Sequence, residues 1–191
     1  ELMKKLRIVL WSVFFLVPTG RAQLNDLLSA EEHEFVFGKL YEASKRVKFH
    51  IKTTEGQHYR RYVLQQKAKD PGARAQKELI AHAPRGVNDG KGFMFVSHTG
   101  EVYPSGFLPV SAGNALWEPL AEIYQNSPLF RALRDSSKLK GKCGECEFNN
   151  VCGGSRARAY AVYGDPMAEE PCCSYRPATA ARNSVDHLFQ R

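Results

Sequence analysis

No cysteine occurs before Cys143, and all five of the chain's cysteines fall within residues 143–173. A framework of structural disulfides normally staples more of a chain than that, so the cysteines point to one local site. Long apolar runs are missing too. The stretch at residues 8–17 is shorter than the roughly 20 apolar residues that a membrane helix needs. Neither an internal repeat nor a low-complexity tract is present. With 43% hydrophobic and 25% charged residues, the composition excludes wholesale disorder, a collagen-like repeat and a multi-span membrane protein. The net charge of +7 permits anionic partners. The cations are scattered, Lys4, Arg60, Lys138 and Lys142 among them, and a solvated surface accounts for most of them. No nucleic-acid or membrane partner is therefore expected.

What is present suffices for one domain with a real core, or for two small ones, in 191 residues. Residues 8–17 have two readings. Lys4, Lys5 and Arg7 before the run and Gly20-Arg21-Ala22 after it form the outline of a secretory peptide. The other reading is a parallel strand buried on both faces and bounded by Pro18-Thr19-Gly20. Val, Ile, Phe and Trp dominate the run, and the chain opens Glu1-Leu2 with Met3 internal, as a piece of a longer protein does. Both features favour the strand, and with it a cytoplasmic location.

Ser29-Ala30-Glu31-Glu32 is a capping box that predicts a helix to about Lys45, with Phe35, Val36, Leu40 and Ala43 inward. Residues 47–53 alternate apolar and polar and read as a strand. Strand, helix, strand predicts a βαβ unit in a parallel sheet. Helix resumes near residues 58–67, and the glycines and prolines of 70–91 mark a linker. Beyond it, residues 93–96 and 102–103 flank a turn at Gly100 and predict a β-hairpin. Pro128 opens a short helix to Arg134.

Cys143-Gly144-Glu145-Cys146 is a CxxC, followed by Cys152 and, after a helical stretch, by Cys172 and Cys173. A CxxC turn converges two thiolates on one metal, and four thiolates suit tetrahedral zinc or an iron–sulfur cluster. One CxxC and two singlets depart from the paired CxxC of zinc knuckles, yet spacing alone leaves both metals open. A metal-free dithiol would leave the third and fourth cysteines idle. His82 and His98 lie too far from the cysteines in sequence to join them, and His33 and His50 read as surface residues.

Three stretches resemble the C-terminal part of radical S-adenosylmethionine (radical SAM) enzymes with a SPASM-type auxiliary domain, similar to those of haem biosynthesis and peptide-cofactor maturation. They are residues 11–21 (Trp-Ser-Val-Phe-Phe-Leu-Val-Pro-Thr-Gly-Arg), Lys52-Thr53-Thr54-Glu55 with His58-Tyr59-Arg60-Arg61, and residues 92–177. The last contains Gly100-Glu101-Val102-Tyr103-Pro104, Ala112-Gly113-Asn114 and the run from Cys143 to Gly153-Gly154-Ser155-Arg156. The resemblance implies an α/β chain. Residues 1–69 would carry late strands of a partial (β/α)6 barrel, 92–177 a small α+β cluster-binding domain, and 178–191 a C-terminal helix or tail.

It also implies a [4Fe–4S] cluster held by Cys143, Cys146, Cys152 and Cys173, with Cys172 the variable neighbour. Glu55, His58 and Arg60, after a barrel strand, become contacts of S-adenosylmethionine or substrate. The partners implied are a peptide or tetrapyrrole substrate and an electron-donor protein. Two departures matter. Ser105, and Ser155 with Arg156, stand where full SPASM domains have further cysteines, so one auxiliary cluster is expected. The CxxxCxxC that holds the SAM-cleaving cluster is absent, so the chain reads as a fragment inactive on its own. Arg156 and Arg158 either offset the charge of the cluster or form a solvated helix face. The reading from a different class is a zinc-binding interaction module without catalysis.

Overall fold

The apolar run near the N-terminus becomes a strand in a computed structural model of the protein, which describes residues 2–69 and 87–177. A single helical turn, α1 (Leu2–Lys5), precedes β1 (Leu10–Phe14). Helix α2 (Ala30–Ser44) then leads to β2 (His50–Thr54), which pairs with β1 in parallel from Leu10↔His50 to Phe14↔Thr54. Helix α3 (His58–Lys69) follows. The capping box forms as expected: Ser29 Oγ accepts from the Glu32 N–H at 3.1 Å, and the Glu32 carboxylate accepts from the Ser29 N–H at 2.7 Å. Most of the linker (70–86), the tail (178–191) and His82 lie outside the described residues.

Two details of this unit differ from expectation. β1 is not covered on both faces. Trp11, Val13 and the following Phe15 pack on Phe37, Leu40, Tyr41, Tyr59 and Val63, but Leu10 and Phe14 on the other face are 47% and 48% exposed. Helices α2 and α3 both feed the same cluster, so among the described residues only one face of the two-stranded sheet has a helical layer. The inward stripe of α2 is also rotated. His33, Phe37, Leu40 and Tyr41 are buried, whereas Phe35 is 66% exposed beneath Lys39, whose Nζ lies 5.1 Å from its ring centroid. His33, read as a surface residue, is buried because its ring stacks on Phe15 and meets His58, each at 5.0 Å. Two histidines and a phenylalanine thus set the phase of the helix.

The second part begins with a small antiparallel sheet of β3 (Phe95–Val96), β4 (Glu101–Tyr103) and β5 (Gly113–Asn114). The expected hairpin turns at Gly100, whose φ of +83° is one that glycine adopts without a Cβ clash. Helices α4 (Leu120–Asn126) and α5 (Pro128–Arg134) follow, and Pro128 sits at the first position of α5. Both β5 and α4 escape the sequence pattern, because two residues, or one buried Ile123 in seven, carry no readable periodicity. The one-turn helix α6 (Gly141–Gly144) and α7 (Arg156–Tyr163) bracket the cysteine loop.

The two parts interlock. Val17, just past β1, packs with Leu108, Leu133 and Ala157 of the second part. Beside it runs a buried polar seam. Gln57 Nε2 donates to Asn88 Oδ1 at 3.0 Å, Ser155 Oγ donates to Glu55 Oε2 at 2.5 Å, and Arg158 Nε donates to Leu16 O at 3.0 Å. Each bond joins residues far apart in sequence and holds the cysteine loop against the first helix–strand unit.

Candidate metal centre

The CxxC turn is built around glycine. A Cβ on Gly144 would stand 2.2 Å from the carbonyl oxygen of Leu139, so no residue but glycine fits at position 144 without moving the backbone. After Cys152 the chain turns back through Gly153 and Gly154, both in the left-handed region. The Gly154 N–H then points at Cys152 Sγ, 3.4 Å away. The returning segment brings the Glu170 N–H to Cys143 Sγ at 3.3 Å. Two cysteine sulfurs are thus already met by backbone donors.

Cys143, Cys146, Cys152 and Cys173 line one cavity, together with His58, Arg61, Lys142, Asn149, Gly153, Glu170 and Tyr175. Cys172 is buried but does not line it, and its N–H donates to Glu170 Oε1 at 3.0 Å. Pro171 and Cys172 lie in a turn, so the two neighbouring side chains leave it in different directions and only Cys173 reaches the cavity wall. Among the described residues, no three His, Cys, Asp or Glu side chains converge as they do around a single metal ion. Four thiols on one cavity wall suit tetrahedral zinc and an iron–sulfur cluster alike. Burial pushes the Cys146 and Cys172 thiols up to about 11, and those of Cys143, Cys152 and Cys173 also upward. Loading metal on these thiols therefore releases protons.

Cations face the sulfurs. Arg156 Nη2 lies 4.0 Å from Cys143 Sγ, and Arg61 Nη2 lies 4.0 Å from Cys173 Sγ. Arg61 is held by Glu34 and rests over the Tyr175 ring at 5.1 Å, while Lys142 Nζ donates to Cys173 O at 2.6 Å. Arg156 and Arg158 are 2% and 0% exposed, so the solvated-face reading of these two fails. Arg156 also donates to the carbonyls of Pro166 and Ala168, at 3.0 and 2.6 Å. Arg158 serves a different purpose. Its Nη1 binds both oxygens of Glu170 at 3.0 and 2.9 Å, and its Nη2 donates to Glu55 O at 2.5 Å. Burial alone would raise the Glu170 carboxyl. The Arg158 guanidinium, helped by the Ser155 and Cys172 N–H donors, holds it down at about 2.

Glu55, His58 and Arg60 do not share one open pocket. Glu55 is buried on Ser155 and Arg158, and burial followed by the charge of Asp89 pushes its carboxyl up to about 7. Arg60 Nη1 donates to Val151 O at 3.2 Å, one residue before Cys152. His58 lines the thiol cavity, and burial drives its imidazole down to about 3, so it is neutral. His50 and His98 are exposed.

Asn88 and Asp89, inside the segment read as a linker, are buried supports of the site. Asn88 Nδ2 donates to Gly154 O at 2.7 Å, and Asp89 Oδ2 accepts from the Ala157 N–H at 2.9 Å at the start of α7. Asn-Asp-Gly-Lys reads as an ordinary turn, so local sequence carried no sign of this role. Ser105 and Ser155 are committed to hydrogen bonds. Ser105 Oγ accepts from the Phe107 N–H at 3.2 Å, and Ser155 Oγ caps α7 by accepting from the Arg158 N–H at 3.0 Å.

Residues 88–147 match the SPASM iron–sulfur cluster-binding domain, a span that includes Cys143 and Cys146 and ends before Cys152. The chain is 46% identical over 179 residues to the AdoMet-dependent heme synthase of Methanosarcina barkeri, covering 93% of this chain and 51% of that protein. Over 111 residues it is 33% identical to the pre-heme d1 synthase of Dinoroseobacter shibae, 56% of this chain and 28% of that one. It is 35% identical over 96 residues to the PqqA peptide cyclase of a Methylobacterium species, 48% and 25% respectively. The chain spans about half the length of the heme synthase it matches. Among the described residues no helix is long and apolar enough to cross a membrane.

Proposed function

Because the chain carries a SPASM iron–sulfur cluster-binding domain and belongs with the C-terminal portion of radical SAM proteins, we propose that it holds one auxiliary [4Fe–4S] cluster in a radical SAM oxidoreductase acting on a tetrapyrrole. The observation that carries this reading is the placement of four of the five cysteines around one cavity, which Cys172 does not line. Cys143, Cys146, Cys152 and Cys173 are the ligands. A bound cluster of this type supplies one-electron transfer or an iron that anchors substrate.

The remaining work belongs to the protein. Arg61, Arg156 and Lys142 offset the negative charge of four thiolates and sulfide. Gly154 and Glu170 aim backbone N–H groups at two sulfurs, and Glu55 and Arg60 clamp the cysteine loop to the helix–strand unit. In this reading β1 and β2 are late strands of a partial (β/α)6 barrel within residues 1–69, and residues 92–177 form the cluster domain. A tetrapyrrole is preferred to a peptide because similarity to the heme synthase extends over 93% of the chain, against 48% for the peptide cyclase. An electron-donor protein and a cytoplasmic setting complete the reading.

The test is anaerobic purification of the chain with iron, sulfide and zinc analysis. Iron and sulfide at the stoichiometry of one [4Fe–4S] cluster per chain are expected. A colourless protein with zinc and no iron would sink the proposal.

A further inference from the structure

His58 is 0% exposed and lines the thiol cavity, yet neither of its ring nitrogens has a hydrogen-bond partner. A neutral imidazole carries one N–H donor and one acceptor. Buried donors are almost always paired in native structures, so an orphan on a cavity wall points to the group that fills the cavity. The surrounding side chains do not take this role. His33 and Phe37 meet the His58 ring at centroid distances of 5.0 and 4.7 Å, as ring contacts. His33 Nδ1 bonds to Ser29 O, and its Nε2 has no partner either, so the two histidines do not satisfy each other. Glu170, also on the cavity wall, has both oxygens engaged by Arg158, the Ser155 N–H and the Cys172 N–H. Arg61 and Lys142 present only donors. Sulfur dominates the acceptors of the remaining wall.

Resting on the cluster reading above, we infer that His58 donates a hydrogen bond from its ring N–H to a sulfur of the auxiliary cluster or of its thiolate ligands, making it a positioning residue that raises the reduction potential of the centre. A donor at sulfur stabilises the extra negative charge of the reduced state more than the oxidised state. The ring contacts that bury His58 also fix its orientation, so the donor is in place before the electron arrives. It adds a side-chain donor to the backbone donors of Gly154 and Glu170.

Anaerobic redox titration of the cluster-loaded full chain tests this, with His58→Leu and His58→Gln beside the wild type. His58→Leu is expected to shift the midpoint to more negative potential with iron and sulfide unchanged. His58→Gln, which keeps an N–H donor, should recover most of the shift. Pulsed EPR of the reduced protein labelled with 15N-histidine should show a weak nitrogen coupling that His58→Leu abolishes. An unchanged potential in His58→Leu, or no coupling in the labelled wild type, overturns the inference. So does the strong coupling of a directly iron-bound nitrogen, which would make His58 a ligand. If His58→Leu does not fold, the coupling in the labelled wild type decides the question. A wild-type protein without iron or sulfide overturns the cluster reading itself, and this inference with it.

Discussion

Replacing Arg158 with Met tests how far the centre depends on a charge that never touches it. Arg158 and Glu170 are both 0% exposed, and the guanidinium spans three segments through Leu16 O, Glu55 O and the Glu170 carboxylate. Removing it leaves the Glu170 carboxylate buried without its counter-charge, a change that costs about 3–5 kcal/mol. For a domain of this size, with a urea dependence of about 2 kcal/mol per molar, the denaturation midpoint should fall by about 1.5–2.5 M. Glu170 is also the residue whose N–H meets Cys143 and whose carboxylate orients Cys172, so iron content should fall with stability.

Urea titration of the anaerobic protein by far-UV circular dichroism, with parallel iron analysis, measures both. Arg158→Met combined with Glu170→Met should recover part of the loss, because no unpaired charge remains. Glu170 is held near pH 2 against an ordinary 4.5, so the stabilisation of the pair is complete above about pH 4.5 and is lost as the pH falls toward 2. A loss below about 1 kcal/mol for Arg158→Met, the size of an exposed pair, would refute the reasoning.

Cys143→Ala, Cys146→Ala and Cys152→Ala should each abolish the native cluster, and Cys173→Ser should lose or degrade it, while Cys172→Ser keeps its full iron content; the reverse result for the last two would move the fourth ligand by one residue. Glu55, raised to about 7 against an ordinary 4.5, favours the folded state most below about pH 4.5 and costs stability progressively as the pH rises through 7, up to about 3 kcal/mol. Glu55→Gln should therefore gain on the wild type in denaturation midpoint between about pH 5 and pH 8, and parallel pH profiles would contradict the raised carboxyl. Gly154→Ala places a Cβ 2.6 Å from that of Glu170 at a φ of +63°, so a loss of about 1–3 kcal/mol and of iron content is expected; wild-type iron loading would show that the loop relaxes freely.

The features legible in the sequence are those whose physics is local. The capping box at Ser29, the hairpin turn at Gly100 and the proline start of α5 each depend on residues within a few positions of one another, and each forms as its pattern implies. The parallel pairing of β1 and β2 followed from strand composition and the intervening helix. Tertiary structure decided the rest. The phase of α2 is set by His33 and Phe37 meeting Phe15 and His58, partners that the periodicity of the helix itself does not reveal. Whether Arg156 and Arg158 face water or sulfur and carboxylate could not be read from helix spacing, since Arg158 finds its acceptors at Leu16 and Glu55, over a hundred residues away. Cys173 lines the cavity and Cys172 does not, because a turn at residues 171–172 sets which of the two side chains faces it. Spacing identifies which thiols can reach a common point, because chain geometry limits reach. Burial and unsatisfied hydrogen bonds, which single out Glu170, Asn88 and His58, exist only once distant segments have closed around them and excluded water.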